Sequence, residues 1–164
     1  MGRAWKFGNN ISTDLIAPGR YYHLRSKPEE LAKHVLEDAR EEFASSVKEG
    51  DFIVGGYNFG KGSSREHAAL IIKLAGVKAV LAKSFARIFY RNCINIGLPV
   101  VQFDTDDIDD GDDLELDLEA GKVRNLTKGA EMSFSPLPKV MRMILDEGGL
   151  AEFIAKHKDL PVES

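Results

Sequence analysis

A chain of 164 residues, 43% hydrophobic and 29% charged, is enough for one domain with a sizeable core and hardly enough for two. This composition excludes a disordered tail and a collagen-like fibre. No run approaches the roughly 18 apolar residues that span a membrane, and no apolar stretch near the N-terminus is long enough for a secretory leader.

The predicted elements begin with a strand over 3–7, broken at Gly8-Asn9-Asn10. Residues 11–19 read as a loop closed by Pro18-Gly19. Pro28 opens a helix, with Ser26 or Lys27 near its cap and Leu31, Val35, Leu36 and Ala39 at helical spacing. A turn through Phe43 leads to a buried strand at 51–56 and a glycine-rich turn at 58–64. A helix follows from Arg65 to Ala75, stopped by Gly76. Residues 77–82 form a strand, and Ser84 caps a helix from Phe85 to about Ile96, ended by Gly97 and Pro99. Residues 99–103 are the next strand. Alternating strands and helices with short connections predict a βαβαβ parallel core. Beyond it, Leu114–Leu118, Val123–Leu126 and Glu131–Phe134 predict a small antiparallel appendage. Helices then start at Pro138 and Leu150, and a frayed tail begins at Asp159. The expected fold class is α/β, one domain over 1–164 with flanking helices.

The net charge of −4 is unevenly spread. Residues 104–119 hold ten acids and no Lys or Arg, so the other 148 residues carry 22 bases against 16 acids. That body has no dense basic stripe for nucleic acid, and a small anionic ligand suits it better. The acidic stretch is expected to be a solvated loop, with partner docking as the alternative. Cys93 is the only cysteine. It excludes an internal disulfide, and also an iron–sulfur cluster or Cys-rich zinc site held by this chain alone. A reduced, cytoplasmic protein is the expectation.

Chemistry concentrates in Gly55-Gly56-Tyr57-Asn58-Phe59-Gly60-Lys61-Gly62-Ser63-Ser64-Arg65-Glu66-His67. Gly55, Gly60 and Lys61 have P-loop spacing, but Gly62 stands where magnesium needs Ser or Thr. A dinucleotide fingerprint starting at Gly60 fails at Arg65. A third reading is an anion site. Ser63 and Ser64 sit at a helix start with free N–H groups, and Arg65 supplies a planar carboxylate fork. Simple helix capping by either serine is the competing reading. Asp14 in Thr13-Asp14 either caps a turn or orients a catalytic group. Arg25 is a loop charge in Tyr22-His23-Leu24-Arg25-Ser26. His23, His34, His67 and His157 lack metal-ligand spacing, and Cys93 reads as a core residue. No Ser-His-Asp order or nucleophile elbow is visible.

Three stretches carry a resemblance: Asn9-Asn10-Ile11-Ser12-Thr13-Asp14, Asn58-Phe59-Gly60-Lys61-Gly62-Ser63-Ser64-Arg65-Glu66-His67-Ala68, and Lys83-Ser84-Phe85-Ala86-Arg87-Ile88-Phe89 with Asn92-Cys93-Ile94-Asn95-Ile96-Gly97-Leu98-Pro99. Over residues 3 to about 150 the chain resembles the swivelling domain of the aconitase superfamily. As a free chain it is similar to the small subunits of 3-isopropylmalate dehydratase and homoaconitase. The resemblance implies a hydro-lyase subunit, inactive alone, that moves a hydroxyl between adjacent carbons by dehydration and rehydration. It implies Ser63 as the base, Ser64 and Arg65 on a substrate carboxylate, and Asp14 in the active-site hydrogen-bond network. It also implies a [4Fe–4S] cluster whose cysteine ligands belong to a large partner subunit. The substrate is then a small di- or tricarboxylate.

The run His23-Leu24-Arg25-Ser26 occupies the place where homoaconitase-like members carry Tyr-Leu-Arg-Thr, so Arg25 leans toward a distal carboxylate. Isopropylmalate is the leading expectation. Homoaconitate is the alternative, and a related hydro-lyase such as one acting on dimethylmalate is a third. The rivals outside this family are an anion-binding or RNA-binding regulatory module and a P-loop nucleotide binder. Neither nucleic acid nor membrane is expected as a partner.

Overall fold

A computed structural model describes residues 1–62 and 66–157. Four strands run parallel: β1 (Gly2–Lys6), β2 (Phe52–Val54), β3 (Ala79–Ala82) and β4 (Val100–Gln102). Three run antiparallel: β5 (Asp113–Asp117), β6 (Lys122–Asn125) and β7 (Ala130–Ser133). Together they make one seven-stranded sheet in the order β4-β3-β2-β1-β5-β6-β7. The parallel core is the expected βαβαβ unit plus β1, which pairs with β2 through Ala4 opposite Phe52. The antiparallel part is more than an appendage. β5 pairs with β1, Gly2 opposite Leu114, so both halves share one sheet.

Period-two alternation divides the core between the two faces of the sheet. Trp5, Ile53, Val80, Ala82 and Val100 pack on one face under the helices. Ala4, Phe52, Val54, Leu81 and Val101 pack on the other with Ile108, Leu114 and Val123. The helices are α1 (Thr13–Ile16), α2 (Pro28–Leu31), α3 (Phe43–Ser46), α4 (Glu66–Leu74), α5 (Arg87–Asn95), α6 (Lys139–Asp146) and α7 (Leu150–His157). Asp51 fastens the start of β2. Its buried carboxylate accepts from the Arg3 N–H at 3.1 Å, the Trp5 indole N–H at 2.9 Å and the Lys48 N–H at 2.9 Å.

Four expectations are corrected. Residues 11–19 contain a helical turn, α1, because the Ser12 hydroxyl caps it by accepting from the Leu15 N–H at 3.1 Å. The helix expected to run to Ala39 stops at Leu31 and gives way to a 3₁₀ turn. The cause is tertiary: Leu36 is pulled to a left-handed φ of 55° while its N–H donates to the Ile16 carbonyl at 2.9 Å. Ser84 does not cap α5, which starts at Arg87 after Ala86 with no side-chain cap.

The acidic stretch is the fourth correction, since it is bound to the body rather than simply solvated. Arg40 forks onto Asp110 at 2.6 and 2.9 Å, and the Lys6 N–H donates to the same carboxylate at 2.9 Å. Lys83 meets Asp106 at 2.5 Å, Lys128 meets Asp109 at 3.0 Å, and Arg124 meets Glu115 at 3.1 Å. The buried Asp112 accepts from the Asn125 amide at 2.8 Å and from the Asp109 N–H at 2.8 Å. The tail expected from Asp159 lies outside the described residues.

Candidate active site

The parallel strands end at Lys6, Val54, Ala82 and Gln102, and in open α/β sheets ligands gather beyond such ends. Here the loops after β1 and β2 are stitched together. The Gly56 N–H donates to the Gly8 carbonyl at 3.2 Å, and the Tyr57 N–H to Asn9 Oδ1 at 2.8 Å. The Asn10 N–H donates to the Tyr57 carbonyl at 2.8 Å, the Gly60 N–H to Ile11 at 2.7 Å, and the Thr13 N–H to Lys61 at 2.9 Å. The strands beyond add support. Ser84 Oγ accepts the Asn58 N–H at 2.8 Å, which is its actual role. The buried Thr105 hydroxyl donates to the Gly55 carbonyl at 2.7 Å. All four parallel strand ends thus converge on the glycine turn.

Close packing explains the glycine at Gly60. Its φ is 85°, and a Cβ there would enter the Phe89 ring. At Gly62, φ is 110° and a Cβ would stand 3.2 Å from Thr13 Oγ1. The structure therefore brings the residue before Ser63 directly against the residue before Asp14. Asp14 itself is exposed on α1. Ser63, Ser64 and Arg65 lie outside the described residues. Of the helix expected from Arg65 to Ala75, the described part is α4, Glu66–Leu74.

Arg25 approaches the same edge through aromatic contacts. Its guanidinium lies 4.2 Å from the Tyr22 ring centroid and donates to the Tyr22 carbonyl at 3.1 Å. The Tyr22 ring meets the His67 ring edge-on at 6.3 Å, in the first turn of α4. Other histidines pack elsewhere: His34 stacks on Tyr21 at 3.7 Å and His157 lies 4.3 Å from Phe153.

Asn9, Asn10 and Asn58, Ser84, Thr105, Tyr22 and His67 are the supporting residues to which single-sequence reading gave no such role. A positive φ of 58° at Asn10 and 57° at Asn58 had a signal, since each asparagine adjoins a glycine-rich break. The hydroxyl and aromatic contacts had none.

The donor chemistry of this chain does not suit an iron–sulfur cluster. Among the described residues no group of three His, Cys, Asp or Glu side chains could hold a metal ion. Cys93 is fully buried in the core, and burial pushes its thiol well above the ordinary value, away from the thiolate a cluster requires. Among the described residues no helix is long and apolar enough to cross a membrane.

The aconitase C-terminal domain family matches residues 6–106, more than half of the chain, and the chain belongs to that family. Membership extends to a narrower group, the small subunits of 3-isopropylmalate dehydratase, a hydro-lyase of the aconitase superfamily. The 3-isopropylmalate dehydratase small subunit 2 of Archaeoglobus fulgidus is 63% identical over 99% of this chain and 98% of its own length. The methanogen homoaconitase small subunit of Methanothermobacter thermautotrophicus is 54% identical over 96% of this chain and 92% of its own. A crystal structure of 3-isopropylmalate dehydratase from Methanocaldococcus jannaschii superimposes with a TM-score of 0.92. It is 48% identical and covers 96% of this chain and 93% of that one.

Proposed function

We propose that this chain supplies the proton-transfer half of an isopropylmalate isomerase, interconverting 2- and 3-isopropylmalate in leucine biosynthesis. The observation that carries the proposal is the stitched pair of loops. It sets Thr13, the residue before Asp14, against Gly62, the residue before Ser63, at the C-terminal edge of the parallel strands. Ser63 Oγ removes the proton alpha to a substrate carboxylate and returns one on rehydration. A serine hydroxyl is a poor base at neutral pH. The N-terminal end of α4 and the Arg65 guanidinium favour its ionised form, because nearby positive potential stabilises negative charge. Ser64 and Arg65 hold the carboxylate, and Asp14 belongs to the hydrogen-bond network around it. The large subunit carries the [4Fe–4S] cluster, and the two halves meet across the subunit interface.

Arg25 supports a second reading, a homoaconitase-type substrate with a further carboxylate. Its planar head is already displayed on Tyr22 beside His67. A substrate panel on the reconstituted pair of subunits separates the readings. If isopropylmalate is the substrate, it turns over fastest and Arg25→Val leaves that activity within about threefold. If homoaconitate-series acids are preferred, the same change costs them about tenfold or more, the loss of a charge-assisted contact. Equal losses on all acids would contradict any role for Arg25 in choosing substrate.

A further inference from the structure

We infer that Asn10 and Asn58 act together as a clasp that positions the loop leading to Ser63. They are positioning residues in the reaction proposed above. The Asn58 side-chain amide donates to Asn10 Oδ1 at 3.2 Å, joining the loop after β1 to the loop after β2. Both residues are left-handed, with φ of 57° and 58°. Glycine would adopt that backbone with less strain, so asparagine is explained by what its side chain adds. The backbone of Asn58 is held separately, its N–H on Ser84 Oγ at 2.8 Å. One residue therefore ties together the ends of three strands, β1, β2 and β3. From Asn58 the chain reaches Ser63 in five residues, and from Asn10 it reaches Asp14 in four. A slip between the loops would displace the base relative to Asp14 and to the carboxylate cradle.

This inference rests on Ser63 being the base, and its test separates the two claims. Gly substitutions keep the left-handed backbone and delete only the side-chain bond. In the reconstituted enzyme, Asn58→Gly and Asn10→Gly should each lower kcat about fivefold, with KM within about twofold. The double variant should lose no more than either single one, because both delete the same bond. Asn58→Asp should restore near-normal kcat, since the Asn10 amide can turn and donate to the new carboxylate. Hydrogen exchange at Phe59 to Gly62 in the free chain should quicken in both Gly variants. That readout does not depend on which group is the base. Wild-type kcat in Asn58→Gly, unchanged exchange, or losses that multiply in the double variant would overturn the clasp. A Ser63→Ala enzyme that stays active while the exchange difference persists would instead remove the base assignment and, with it, the clasp's catalytic role.

Discussion

Two loops that follow parallel strands make an instructive contrast. The acidic connection after β4 holds much of the charge of the molecule, and the glycine turn after β2 holds little. In the acidic connection, Arg40, Lys83 and Lys128 from the body neutralise Asp110, Asp106 and Asp109. Those charges fasten the connection to the sheet, and none is needed to explain a ligand. The glycine turn is held by backbone, amide and hydroxyl hydrogen bonds from the loops after β1, β3 and β4, which fix its shape. A high count of charges therefore marks a structural tie, while a precise backbone path leads to the proposed site.

Substitutions in each loop sharpen the contrast, and the larger effect belongs to the glycine turn. Gly60→Ala forces a side chain into the left-handed region and against Phe89. It should lower stability by about 3 kcal/mol, read as a melting temperature some ~10 °C lower. An unchanged melting temperature would show that the turn tolerates other paths.

Asp110→Asn, in the acidic connection, should cost less. Arg40 holds the Asp110 carboxyl below the usual carboxylate range, with the Lys6 N–H also lowering it and burial opposing. The folded state thus binds this proton less tightly than the unfolded chain does. The contribution to stability is complete above the unfolded value near ~4 and fades as pH falls through the lower folded value. Asp110 is 42% exposed, so solvent screening limits the contribution to about 1 kcal/mol. Denaturant unfolding of wild type and Asp110→Asn should differ by about that amount at pH 7 and converge as pH falls below the lowered value of the folded carboxyl. A gap that persists or widens in acid would contradict the ion pair as its source.

Much of the fold was legible because local pattern and tertiary outcome agree. The apolar residues 52–54, 79–82 and 100–101 lie buried in strands, and Pro138 opens α6 where its fixed φ suits a helix start. Legibility failed where a distant partner decided the local geometry. Leu36 carries helical spacing, yet its bond to Ile16 turns it left-handed. Ser84 stands where a cap belongs, yet its hydroxyl serves Asn58 across the sheet edge. At the proposed site, the residue types that carry the proposal were visible as Gly62-Ser63-Ser64-Arg65, and the lone Cys93 already excluded a cluster held by this chain alone. The route from Arg25 through Tyr22 to His67 was not, because contacts between side chains on separate elements leave no periodicity to read.

The central claim is that this chain brings the base and its partner brings the cluster. It is tested most directly by Ser63→Ala reconstituted with the large subunit and an iron–sulfur source. Assembly and substrate KM should persist, while kcat falls by roughly 10³-fold, the loss expected when a general base is removed. Activity close to that of the unsubstituted pair would contradict it.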